Sequence, residues 1–213
     1  MGKQKHFWGL TGLLIATFVA WGIAIWGAWV PDRSVANTLL GVDMAEAVKF
    51  IPGTRSGRIH VWREAFLLPQ LTLSIMLAVQ AWQKRWPFPT WLRVGIQVIA
   101  LMTALSMLPP AWSPPLLRAP EWRTQVLFIL TGVAFSIASP LFQFISAKIL
   151  DGLVALLGLV TATLVGSYLQ TVWPEFTAVY HHPLPFGVGV WALGFAVTGQ
   201  FLVATAGLKA AQR

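Results

Sequence analysis

The feature that most constrains this chain is a series of long apolar segments without charged residues in their centres. A helix needs about 20 apolar residues to cross the roughly 30 Å hydrocarbon core of a membrane. Because only 10% of the residues are charged, against about a quarter in soluble domains, we predict an all-α, polytopic membrane helix bundle. About six transmembrane helices are expected, over residues 7–30, 65–83, 91–108, 124–147, 152–172 and 186–208.

Residues 1–213 are expected to form a single integral membrane domain, because only one connection between the spans is long. That connection, residues 31–64, is predicted to lie on the outer side of the membrane. In it, five apolar residues fall on one helical face, and Pro52-Gly53 ends the pattern. This predicts a short amphipathic helix on the outer surface. Its apolar residues are Leu40, Met44, Ala47, Val48 and Ile51.

The fourth and fifth spans are separated by a very short connection, Lys148 to Asp151. We expect a tight helical hairpin here, with one long bent helix as the alternative. Pro140 lies inside the fourth span and predicts a kink. The third span is expected to be the shortest, because Pro109 and Pro110 must end it.

The distribution of Lys and Arg residues predicts which helix ends face the cytoplasm. With the N-terminus inside, the inner connections and termini hold eight Lys and Arg residues and the outer ones hold seven, of which five lie in the first loop. The short connections therefore favour an inner N-terminus. We expect a protein of a bacterial plasma membrane with both termini in the cytoplasm. The net charge of +8 is attributed to orientation and anionic lipid, and not to nucleic acid.

Small residues recur every four positions along three of the predicted helices. Lipid gives helices no hydrophobic drive to associate, so close van der Waals contact at small residues must supply it. We predict packing seams here, either between helices of this chain or against a partner subunit, with Gln170 and Gln200 adding hydrogen bonds. The seam residues are Gly12, Ala16, Ala20, Ala24 and Ala28 in the first helix, Gly158, Ala162 and Gly166 in the fifth, and Ala192, Ala196 and Ala204 in the sixth.

No Asp, Glu, Lys, Arg or His residue is predicted deep inside a span. Proton relays, ion-coupled carriers and voltage sensors depend on such groups, and haem held between helices depends on histidine. The uncharged polar residues within the spans have two alternative roles: they line a pocket for a small molecule, or they form hydrogen bonds between helices and to helix carbonyls. They are Gln70, Ser74, Gln97, Thr103, Gln143, Thr161, Thr163 and Ser167.

Arginines and histidines crowd the predicted outer rim of the bundle. Guanidinium groups at this depth suit an anionic ligand such as a lipid phosphate. The alternative is a set of interfacial anchors and solvated charges. The candidate contacts are Arg55, Arg58, His60, Arg63, His181 and His182. No metal site is expected, because the side chains of adjacent histidines diverge and the chain has no cysteine.

No nucleotide-binding, metalloprotease or serine-hydrolase motif occurs in the sequence. We therefore expect no catalytic residue and no cofactor. The leading hypothesis is a non-catalytic subunit of a larger membrane complex, for transport or membrane energetics, with membrane lipids and other membrane subunits as its partners. Two alternatives remain open. One is a substrate-binding or permease unit for a neutral or apolar small molecule, and the other is an outer-leaflet lipid-headgroup enzyme.

Overall fold

A computed structural model describes residues 2–32, 38–109 and 112–210, and the side chains of those from residue 8 to residue 206. Within this part of the chain there are six long helices and three one-turn helices. The long helices are α1 (Gly2–Trp26), α4 (Leu68–Ala81), α5 (Thr90–Leu105), α7 (Arg123–Ala138), α8 (Ala147–Tyr180) and α9 (Val188–Ala210). The one-turn helices are α2 (Met44–Ala47), α3 (Pro52–Arg55) and α6 (Pro114–Leu117). The remaining elements are an antiparallel pair of short strands, β1 (Ala28–Val30) and β2 (Leu39–Leu40), and 3-10 turns at Gly41–Asp43, Arg63–Leu67, Pro120–Trp122 and Ser139–Phe144.

The bundle is built around α4, all 14 residues of which are buried. The helix contacts α1, α5, α7 and α8. Its small hydroxyl residues bond to these neighbours: Ser74 Oγ donates to the carbonyl of Ala100 at 2.8 Å, and the Thr72 and Thr161 hydroxyls lie 2.7 Å apart. A helix that is apolar on every face belongs in the centre of a bundle, where van der Waals packing and interhelical hydrogen bonds hold it.

One end of the bundle is covered by residues 27–32 and 38–67, here called the cap. The cap reaches the C-terminal part of α8, where the Gly53 amide donates to the Glu175 carboxylate at 3.0 Å. It also reaches the start of α9, where the Gly187 amide donates to the Trp29 carbonyl at 2.9 Å. The α4–α5 and α7–α8 connections lie at the opposite end. Alternation of the six long helices therefore puts both ends of the described chain on the side away from the cap.

The predicted fold class is confirmed: five helices of the described chain are long and apolar enough to cross a membrane, and α5 is a shorter apolar helix. The alternative of one bent helix for the fourth and fifth spans is wrong, because extended Ile145 separates them. Pro140 ends regular α-helix in the fourth span, since it lacks an N–H group. The predicted fifth span is too short, since α8 continues through Pro174 to Tyr180.

The cap differs from the predicted amphipathic surface helix. Where that helix was predicted, the structure has only a 3-10 turn (Gly41–Asp43) followed by the one turn of α2. The apolar side chains of Met44 and Val48 are fully buried against the bundle. Pro52 begins α3 and does not end a helix, because a proline at the first helical position loses no hydrogen bond. Residues 33–37 of the predicted loop lie outside the described residues.

The predicted seam of the last helix lies in the interior. Ala192, Ala196 and Ala204 of α9 are buried, and α9 packs mainly against α1 and then against α8. Gly158 of α8 is buried as well, and a Cβ atom there would lie 2.8 Å from Gln200 Nε2. Gln200 forms the interhelical bonds expected of it, since its Oε1 accepts from Trp21 Nε1 at 2.9 Å and its Nε2 donates to the Val154 carbonyl.

The predicted seam of the first helix is only partly internal. Ala24 is buried, Ala20 and Ala28 are half-buried, and Gly12 and Ala16 are exposed. The helix instead buries a neighbouring face made of Thr11, Leu14, Thr17, Trp21 and Ile25. In α8, Ala162 and Gly166 are half-buried and Gln170 is exposed. A partner subunit on the exposed small residues therefore stays a prediction.

Candidate functional site

Most of the polar residues predicted within the spans form hydrogen bonds inside the protein. Gln97 links two helices: its Oε1 accepts from Trp82 Nε1 at 3.1 Å and its Nε2 donates to the Ser136 carbonyl at 2.8 Å. Thr103 and Ser167 donate to carbonyls of their own helices, and Gln143 donates to the carbonyl of Pro140. These residues therefore stabilise the helices and their packing, which is the second of the two roles expected for them.

Gln70 is different. Its side chain is 1% exposed, yet neither Nε2 nor Oε1 has a hydrogen-bond partner among the described residues. It lies at the third position of α4, one turn below the cap. A buried amide that makes no hydrogen bond costs folding free energy, because it has lost its bonds to water. Such a residue in the centre of a well-packed bundle requires a structural or functional reason.

Gln70 lines a cavity of about 120 Å³ between the cap and the cap-side ends of α4, α5 and α7. Leu67 and Met107 form part of its apolar wall. Ser106 and Gln125 add polar groups, although Ser106 Oγ already donates to Thr103 and Gln125 Nε2 already donates to the Met107 carbonyl. The cavity is partly open. A concave, mostly apolar space with a few convergent polar groups is the usual form of a small-molecule site.

The charged residues that line this cavity are acidic. Asp43 and Glu46 belong to its wall, and no Lys or Arg residue is among the described residues that line it. Glu46 already has two cationic partners, with Lys49 Nζ at 2.5 Å and Arg63 Nη1 at 3.1 Å. The Asp43 carboxylate is exposed and accepts a hydrogen bond from the Leu40 amide at 3.3 Å. The cavity therefore disfavours anions.

The rim arginines are held by carboxylates of the protein. Arg63 lies between Glu46 and Glu64, with nitrogen–oxygen distances of 3.1 and 3.0 Å, and its guanidinium stacks 4.6 Å from the ring centre of Trp122. Arg58 pairs with Glu175 at 2.5 Å. These contacts join the cap to α7 and α8. Binding of an anionic headgroup by Arg58 or Arg63 would have to compete with these carboxylates.

The other rim residues do not converge on one point. Arg55 and His60 are exposed. His181 adopts a left-handed conformation with φ of 57° at the end of α8, where it terminates the helix. His182 Nε2 lies 3.4 Å from the Asp32 carboxylate, and its ring contacts Tyr180 edge-on. The described residues contain no group of three His, Asp or Glu side chains that could hold a metal ion.

The opposite end of the bundle contains a buried ion pair between Arg85 and Asp151. Asp151 was expected in the connection between two spans, but it lies in the first turns of α8 with its side chain 3% exposed. Arg85 reaches both of its oxygens, at 2.5 and 2.6 Å, and Gln80 Nε2 adds a third bond at 3.1 Å. The Gln80 oxygen in turn accepts from Trp86 Nε1 at 2.9 Å. The cluster ties the start of α8 to the end of α4.

The predicted place of Asp151 in a connection is therefore wrong, although the residue lies near the end of α8 and not deep inside it. The carboxylate is tolerated for two reasons. The guanidinium of Arg85 bonds it in a bidentate manner, and its position near the N-terminus of α8 is favoured by the helix dipole. Because all of its partners belong to the protein, this cluster has the features of a structural lock between helices.

Together, the described residues form an all-α bundle of apolar helices with a partly open, mostly apolar cavity under the cap. Comparison of the chain with known protein families, with curated proteins and with solved structures finds no match.

Proposed function

We propose that this protein is a membrane-embedded binding or permease unit for a small organic molecule that enters the cavity beneath the cap. The observation that carries this proposal is the buried, unpartnered amide of Gln70. A ligand with one hydrogen-bond donor and one acceptor would satisfy both of its atoms. Of the hypotheses drawn from the sequence, a substrate-binding unit agrees best with this geometry.

The surroundings of Gln70 strengthen the argument. On the same helix, Thr72, Ser74 and Gln80 each have a hydrogen-bond partner on another helix or connection. A leucine at position 70 would fill a similar volume without the cost of burying an amide. A ligand that bonds both amide atoms of Gln70 would offset this cost.

Binding can be tested on purified protein in lipid nanodiscs. Small molecules released by solvent extraction are identified by mass spectrometry, for the wild type and for Gln70→Leu. The control is Gln143→Leu, because Gln143 lies at the other end of the bundle and donates to Pro140. We expect a non-lipid compound that is lost in Gln70→Leu and kept in Gln143→Leu. No such compound, or equal amounts in both variants, would refute the proposal.

Entry from the outside requires that the cap faces outward, as the Lys and Arg distribution predicts. Because the chain contains no cysteine, single cysteines report on orientation without background. Ser56→Cys in the cap is expected to react in intact cells with a thiol reagent that cannot cross the membrane. Ser146→Cys, in the exposed connection before α8, is expected to react only after the cells are opened. The reverse pattern would invert the orientation.

A second candidate function is the subunit role in a larger membrane complex. It is favoured by Gly12 and Ala16, which are exposed on α1 although they belong to a stripe of small residues. Native mass spectrometry after extraction in a mild detergent tests it. We expect a co-purifying membrane chain that Ala16→Leu releases. A wild-type protein found alone and monomeric would argue against this role.

A further inference from the structure

We propose that the ligand of the cap cavity is a small organic cation, an amine with a compact apolar body, whose ammonium group lies against Asp43. This inference rests on the proposed function, because it names the chemical class of the molecule that the Gln70 cavity binds. It also differs from the anionic ligand predicted from the arginines and histidines of the rim.

The first step of the argument is the sign of the charge. Two carboxylates, Asp43 and Glu46, belong to the cavity wall, and the wall as described contains no basic side chain. The nearby cations Lys49 and Arg63 both point to Glu46, at 2.5 and 3.1 Å. An anion would meet uncompensated negative charge and lose its hydration, whereas a cation would gain a counter-charge.

The second step separates the two carboxylates. Glu46 is neutralised by its two partners and holds the cap together. Asp43 accepts one hydrogen bond from the described residues, from the Leu40 amide to Oδ2 at 3.3 Å. A carboxylate has about four acceptor positions in two oxygens. Asp43 therefore keeps acceptor capacity for an ammonium group at the wall of the cavity.

The third step concerns the rest of the ligand. Gln70 lies at the buried end of the cavity with both amide atoms available, and Ser106 Oγ can still accept a hydrogen bond. Leu67 and Met107 offer apolar contact in the same cavity. An amine that carries a short apolar body is complementary to this combination of a carboxylate, apolar side chains and uncharged polar groups.

The test uses three probes of nearly equal shape and different charge: isoamylamine, isoamyl alcohol and isovalerate. Affinities are measured from the shift of the thermal unfolding midpoint of the protein in nanodiscs, over a series of probe concentrations. The variants are Asp43→Asn, whose amide oxygen can still accept from Leu40, and the matched control Glu121→Gln. Glu121 is an exposed acid that does not line the cavity.

We expect the wild type and Glu121→Gln to bind the amine about tenfold more tightly than the alcohol, the modest factor that a single partly solvated charge pair supplies. Isovalerate is expected to bind least. Asp43→Asn should bind amine and alcohol alike. Equal binding of amine and alcohol by the wild type, or an amine preference that survives Asp43→Asn, would overturn the cation inference alone. If none of the three probes changes the unfolding midpoint of the wild type or of either variant, the inference is overturned. That result would count against the proposed function as well.

Discussion

Replacement of Gln70 by leucine is expected to stabilise the ligand-free protein. The change removes two buried amide atoms that have no partner in the described structure and puts a side chain of similar volume in their place. A buried polar group without a hydrogen-bond partner lowers the stability of the folded state by about 1–3 kcal/mol. Removal of the Gln70 amide should therefore raise the free energy of unfolding by about 1–3 kcal/mol in total. The sign is unusual, because most single substitutions destabilise.

The matched control is Gln97→Leu on the neighbouring helix α5. Gln97 accepts from Trp82 Nε1 at 3.1 Å and donates to the Ser136 carbonyl at 2.8 Å. Its replacement leaves Trp82 Nε1 without its partner and removes one of the two hydrogen bonds to the Ser136 carbonyl, so we expect the free energy of unfolding to fall by about 1–3 kcal/mol. The same substitution should therefore raise the free energy of unfolding at position 70 and lower it at position 97, although both residues are glutamines within predicted spans.

The assay is reversible unfolding in mixed micelles, with an increasing fraction of denaturing detergent and helix content followed by circular dichroism. A destabilised Gln70→Leu protein, with a loss similar to that of Gln97→Leu, would refute the reasoning. It would mean that ordered water satisfies the amide and that the cavity is a hydrated part of the fold.

Two further predictions concern the packing of the bundle. Asp151→Asn or Arg85→Met alone should lower the free energy of unfolding by about 3–5 kcal/mol, because a buried charge loses its partner. The double change Arg85→Met, Asp151→Leu should lower it much less. Equal losses for single and double variants in the same unfolding assay would disprove the lock between α4 and α8. Ala196→Leu should lower the free energy of unfolding by about 1–3 kcal/mol, because it overpacks α9 against α1. Ala16→Leu, on the exposed surface of α1, should leave the stability of the isolated chain unchanged. A similar loss of stability at both positions would show that burial does not distinguish them.

The sequence by itself determined the class of fold. Backbone groups in lipid must bond within their own segment, so a long apolar run without charge is expected to form a helix. For this reason the long apolar helices, the shorter third one and the break near Pro140 were all predictable. The limits of α8 were not, because residues 173–180 extend the helix toward the cap, where Glu175 is bound by Gly53 and Arg58.

The packing partners could not be read from periodicity. The small residues of α1 and α9 have the same spacing, yet Gly12 is exposed and Ala196 is fully buried. The tryptophans behave in the same way: Trp91 is 74% exposed, whereas Trp29 and Trp86 are 1% exposed. In an apolar chain every helix face has a similar composition, so the faces that meet depend on how distant segments fit together.

The residues of the candidate site could not be predicted from the sequence for a related reason. Gln70, Gln80 and Gln97 are equivalent as letters in apolar spans, and only neighbours supplied by other helices decide which amide is paired. The rim arginines were expected either to bind an anion or to act as interfacial anchors and solvated charges. Once the cap folds onto the bundle, the acids nearest those arginines bind them, and Asp43 comes to line the cavity that contains Gln70. Hydrogen bonding and charge pairing act over a few ångströms, so tertiary contacts between distant segments determine which groups are satisfied.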